Sequence, residues 1–110
     1  MAGVLYVVAT PIGNRADLSP RALEVLGGVG AVVAEDTRRS GLLLQGMSPR
    51  PRLLALPGEQ EERRIPAVLE QLDRGDVALV SDAGTPGISD PGRRLVAAVR
   101  QAGFQVVAVP

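Results

Sequence analysis

Short, almost continuously apolar runs alternate along this chain with amphipathic segments, and turn-forming residues separate them. The runs are Val4–Val8, Ala31–Ala34, Val77–Val80 and Gln105–Val109. Three are rich in Val, and none shows a polar residue at every second position. That pattern predicts strands covered on both faces, as in a parallel sheet. Arg52–Leu56 is a weaker fifth strand, placed nearer an edge.

Helical signals fill the intervals. Ser19-Pro20 opens the first helix as N-cap and first-turn proline, and Gly27-Gly28 closes it. Thr37 to about Gln45 forms the second. In the third, Glu59 to Arg74, the apolar residues Ile65, Val68, Leu69 and Leu72 share one face. Glu59, Glu61 and Glu62 complement its N-terminal dipole, and Gly75 stops it. Pro66 removes a backbone donor inside that pattern, so the helix either starts near Ile65 or kinks there. Asp90-Pro91 caps the fourth helix, which runs to Ala102 with Gly103 behind it.

Strands alternating with helices in this order predict an α/β fold: a mostly parallel five-stranded sheet with helices on both faces. A length of 110 residues suits one domain, 1–110. Val109-Pro110 follows a buried-type strand directly. The expectation is therefore the N-terminal half of a longer, two-domain protein.

Composition narrows the chemistry. The 45% hydrophobic and 22% charged residues are ordinary for a folded domain. All 12 basic residues are Arg, balanced by 12 acidic ones, and Cys, His, Lys and Trp are absent. Thiolate or imidazole metal sites, Cys-His and Ser-His-Asp catalysis, Schiff-base lysines and a P-loop lysine are thereby excluded within this chain, and no metal site is expected. Proton transfer falls to Asp, Glu or Tyr6. Zero net charge leaves only local Arg patches for a nucleic-acid backbone. No apolar run reaches the roughly 20 residues needed to span a bilayer. A cytoplasmic protein is the expectation.

In open α/β sheets, ligands gather at the carboxyl ends of the strands. Three loops there carry unusual residues: Ala9-Thr10-Pro11-Ile12-Gly13-Asn14, Glu35-Asp36-Thr37-Arg38 and Ser81-Asp82-Ala83-Gly84-Thr85-Pro86-Gly87. The first has a single Gly, so it is no dinucleotide fingerprint, and alone it reads as a turn. The second reads either as a helix start or as carboxylates that accept a proton or a hydrogen bond. The third is unusually long for a strand-to-helix link. Its small residues would let backbone approach a ligand, while Asp82 and Thr85 orient polar groups. It superficially resembles an aspartyl-phosphate nucleophile loop, but the acid spacing fails and the customary Lys is missing. Arg38 and Arg39 flank the second loop and could meet phosphates. The other Arg pairs read as solvated helix faces.

In series, these loops resemble the tetrapyrrole methylase superfamily, and most closely its branch of small-subunit (16S) rRNA (cytidine-2′-O)-methyltransferases. The matching stretches run from Leu5 to Asn14, from Ala16 to Leu18, from Arg21 to Leu23, from Ala34 to Arg38 with Gly41 to Leu44, and from Leu79 to Gly92. The resemblance implies S-adenosyl-L-methionine as cofactor, a cytidine of small-subunit ribosomal RNA as methyl acceptor, and a homodimer. It implies a second α/β domain beyond this segment, with the cofactor in the cleft between the two, so that 1–110 alone would be inactive. Carried onto this chain, it assigns cofactor binding to Thr10, Pro11, Gly13, Ser81, Asp82, Ala83, Gly84, Thr85 and Pro86. RNA contact would fall to Asn14, Arg38 and Arg39, and proton acceptance to Glu35 or Asp36. The sequence departs from the family pattern at Arg15, usually Leu, and at 56–61, usually a His-Asn-Glu-like stretch. Two other readings are a tetrapyrrole (corrin or porphyrin) C-methylase and a non-catalytic ligand-binding α/β module.

Overall fold

The computed structural model describes residues 3–10, 18–34, 37–56, 61–82 and 90–109. At Thr10, Arg39, Glu61, Ser81, Asp82, Asp90 and Pro91 it describes the backbone alone. Nine elements follow in strict alternation: β1 Val4–Thr10, α1 Pro20–Gly28, β2 Ala31–Ala34, α2 Thr37–Leu44, β3 Arg52–Ala55, α3 Glu61–Arg74, β4 Val77–Asp82, α4 Asp90–Gln101 and β5 Gln105–Val109. The strands form one sheet in the order β3-β2-β4-β1-β5, and every pairing is parallel.

That order fixes the layers. The links β1→β2 and β2→β3 step one way across the sheet, while β3→β4 and β4→β5 step the other way. Crossovers of one hand then place α1 and α2 on one face and α3 and α4 on the opposite face. Two buried clusters bear this out. Ala22, Leu26, Leu43 and Leu44 pack with Val8, Val32 and Ala78 on one side. Val68, Leu72, Leu95 and Val99 pack with Leu5, Val33, Val77 and Leu79 on the other. Neighbouring strand residues such as Val32 and Val33 thus serve opposite faces, which is why those runs lack polar positions.

Two strands outrun their expected ends. β1 continues through Ala9 and Thr10, and β4 through Ser81 and Asp82, because the four residues pair with one another: Ala9 with Ser81 and Thr10 with Asp82. They belong to strands, not to the loops the sequence suggested. A neighbouring strand supplies ladder hydrogen bonds that outweigh the turn preference of Thr, Ser and Asp. β3 is indeed an edge strand.

Capping is seen at the start of α1 and the end of α4, whereas Asp90, expected as a cap, is already the first residue of α4. The Ser19 side chain accepts the Ala22 N–H at 3.0 Å, with Pro20 in the first turn. Gly27 and Gly28 are the last two residues of α1, as the sequence indicates. Both are helical, and the chain leaves at Val29 in an extended conformation. α3 begins at Glu61 and carries Pro66 within it, so it does not start at Ile65. Pro66 is exposed, so the carbonyl at Glu62 that loses its donor faces water. Val68 and Leu72 are buried, with Ile65 and Leu69 packed beside them. Glu59 lies outside the described residues. α4 ends with Gly103 at φ 93°, where the Phe104 N–H bonds the Val99 carbonyl at 3.2 Å and the Gly103 N–H bonds that of Arg100 at 3.0 Å. This paired closure relies on a residue free to adopt positive φ.

Candidate functional site at the carboxyl edge of the sheet

β4 lies between β2 and β1, so the carboxyl ends of these three strands stand side by side on one edge. From there the chain forks. β1 and β2 lead into the α1/α2 layer, whereas β4 leads into the α3/α4 layer. Such a reversal of crossover direction is the switch point at which ligands bind in sheets of this kind. β4 borders two such forks, one with each neighbour.

Register gives the edge a step. Val33 of β2 pairs with Leu79, which brings Ala34, the last residue of β2, level with Val80. β4 continues two residues further, and β1 ends flush with it, Thr10 opposite Asp82. β3 ends level with β2, Ala55 opposite Ala34, and the Leu56 N–H reaches the Ala34 carbonyl at 2.8 Å. At ~3.3 Å per residue, the β1/β4 half stands roughly 6–7 Å above the β2/β3 half.

The structure brings together Thr10, Ser81 and Asp82 among the residues assigned to cofactor binding. Arg38 sits in the first turn of α2 and is exposed, and Arg39 follows it in the same turn. Pro11, Gly13, Asn14, Glu35, Asp36, Ala83, Gly84, Thr85 and Pro86 lie outside the described residues. The described neighbours of those segments, Thr10, Ala34, Thr37 and Asp82, all stand at this edge. Sequence reasoning passed over Ser40, whose side chain is buried on α2. Its spacing from Leu43 and Leu44, three and four residues on, is the signal that places it on the inward face.

Small residues at the strand ends suit a ligand that must approach the backbone closely. Ala9, Ala34 and Ala55 occupy the last or next-to-last strand positions. Among the described residues no helix is long and apolar enough to cross a membrane.

The fold, the forked edge and the loop sequences agree with the family comparison: residues 4–110 match the family model of the Tetrapyrrole (Corrin/Porphyrin) Methylases, and the chain belongs to that family. Among individual relatives, it is 52% identical to the ribosomal RNA small subunit methyltransferase I of Escherichia coli O157:H7, over 98% of this chain and 38% of that protein. The proteins of the same name from Haemophilus influenzae and from Synechocystis sp. are each 48% identical, covering 39% of their lengths. The chain thus spans about two fifths of the length of these relatives.

Proposed function

We propose that this chain is the N-terminal domain of an S-adenosyl-L-methionine-dependent methyltransferase that 2′-O-methylates a cytidine in small-subunit ribosomal RNA. The observation that carries the reading is the pairing of Thr10 with Asp82 at the fork, in a chain 52% identical to a ribosomal RNA small subunit methyltransferase. The part of the protein beyond this segment supplies the opposite wall of the cleft. Working as a cytoplasmic homodimer belongs to the same proposal, as does inactivity of the isolated domain.

The residue inventory suits this chemistry. When bound, the cofactor supplies a methyl group on a sulfonium centre, already activated for displacement. What remains for the chain is to hold, align and remove a proton, none of which requires His, Lys or Cys. Thr10, Pro11 and Gly13, with Ser81 to Pro86, hold the cofactor. Asn14, Arg38 and Arg39 engage the RNA, the arginines through its phosphates. Glu35 or Asp36 accepts the proton of the ribose hydroxyl.

The decisive experiment supplies the full-length protein with methyl-labelled S-adenosyl-L-methionine and small ribosomal subunits. Label should appear on the 2′-oxygen of a cytidine. Label on a base carbon, or on an added porphyrin and not on RNA, would overturn the reading. By calorimetry, the full-length protein should bind the cofactor with a dissociation constant in the micromolar range, on the order of −8 kcal/mol, and residues 1–110 alone weakly or not at all. Asp36→Asn in the full-length protein should slow transfer and alter its pH profile. An unchanged rate and profile would remove Asp36 from the proton-accepting role.

A further inference from the structure

Among the described residues, Ser40 is the one polar side chain in the buried class, with 4% of its surface exposed. Its hydroxyl has no hydrogen-bond partner there. Burying such a group unpaired costs stability, and Ala at the same helical position would avoid the cost with a better helix propensity. Packing among the described residues therefore gives no reason for a serine here.

Its place in the fold suggests what it serves. Ser40 lies one turn before Leu43 and Leu44, which pack in the cluster beneath the sheet with Val32 and Leu53. Helical side chains lean toward the helix N-terminus. The N-terminus of α2 follows the end of β2 by two residues. The hydroxyl is thus carried inward and toward the carboxyl edge of the sheet, on the side of β2. Two residues of β4 rise above that level on the adjoining strand.

We infer that Ser40 is a recognition residue, whose hydroxyl forms its hydrogen bond with a polar group of a nucleoside seated at this step. The inference rests on the methyltransferase reading, in which two nucleosides meet at the edge: that of the cofactor and the acceptor cytidine. Both offer ribose hydroxyls and base polar groups, so the chemistry is shared and the source is separated by experiment.

The test compares full-length wild type, Ser40→Ala and Ser40→Thr in three measurements: ligand-free melting, calorimetric titration with S-adenosyl-L-methionine, and KM for small ribosomal subunits. Loss of one neutral hydrogen bond should weaken binding about three- to tenfold. A weaker cofactor titration for Ser40→Ala assigns the bond to the cofactor, and a raised KM for the subunit assigns it to the acceptor. In either case Ser40→Ala should melt no lower than wild type, and Ser40→Thr should return affinity toward wild type. Unchanged affinity for both ligands overturns the inference. So does a lowered ligand-free melting temperature or a failure to fold, since either means that the hydroxyl already has a protein partner. Failure of the wild type itself to bind the cofactor or to methylate RNA would remove the methyltransferase reading, and the role of Ser40 with it.

Discussion

The two edges of the sheet are built on opposite principles. At the amino edge, hydrogen bonds run from strand to strand. The Arg52 N–H bonds the Gly30 carbonyl at 3.0 Å, and the Gly30 N–H bonds that of Asp76 at 3.0 Å. The Asp76 carboxylate accepts the Val4 N–H at 2.8 Å, and the Gly3 N–H reaches the Leu72 carbonyl at 2.7 Å. Backbone groups here are spent on one another. At the carboxyl edge the strands end at different heights, the helices that follow them lie on opposite faces, and one buried hydroxyl is left without a partner among the described residues. Groups engaged with one another stabilise the fold and cannot bind anything else. Groups left available can serve a ligand at some cost in stability. Substitutions at the two edges should therefore separate into those that change melting and those that change binding.

The largest expected effect lies at the amino edge. A Cβ on Gly3 would overlap the carbonyl of Gly75, where both sides of the contact are backbone. Gly3→Ala should destabilise the protein by about 3 kcal/mol, the upper range for overpacking, since no side chain can swing aside. A chemical denaturation series reads this directly, and a change below about 1 kcal/mol would show that the close approach is relieved cheaply. Asp76→Ala comes next. It strips the Val4 N–H of its acceptor in a part-buried position, at a cost of about 1–3 kcal/mol. Asp76→Asn retains an acceptor oxygen and should recover most of the loss. If Asn does no better than Ala, the ionised carboxylate matters and not merely its geometry.

The same contrast explains what could be read in advance. The four Val-rich or Ala-rich strands and the apolar face of α3 follow from periodicity, because burial on both faces removes polar positions and a helix face repeats every three to four residues. The edge position of β3 was also legible. The ends of β1 and β4 were not, since Thr10, Ser81 and Asp82 have turn character in isolation and become strand only through each other. The end of α1 was legible too: it falls at Gly28, although the exit at Val29 is extended and not a left-handed glycine turn. For the site, the sequence placed three loops on one edge, and topology confirms that the strands leading into them are neighbours. The step between β2 and β4 depends on register, which no local pattern encodes. Ser40 was overlooked because its spacing from Leu43 and Leu44 marks an inward face only once those two are known to pack beneath the sheet.

The smallest expected effect on stability, and the sharpest test of the division between the edges, is Arg38→Ala. Arg38 is exposed in the first turn of α2, where the positive end of the helix dipole disfavours a cation. Arg38 has a partner in the fold, but an exposed ion pair or hydrogen bond contributes little, so its removal should leave stability within about 0.5 kcal/mol of wild type. If Arg38 meets an RNA phosphate, affinity for the small-subunit RNA should fall to a similar degree across RNA sequences. The slope of log K against log salt should also decrease by about one contact's worth, ~0.7–0.9. The pair of readouts is informative because a structural arginine would shift melting while leaving the salt slope alone. If melting falls by more than about 4 °C, roughly 1 kcal/mol for a domain of this size, the carboxyl edge is spending its charges on the fold as the amino edge does.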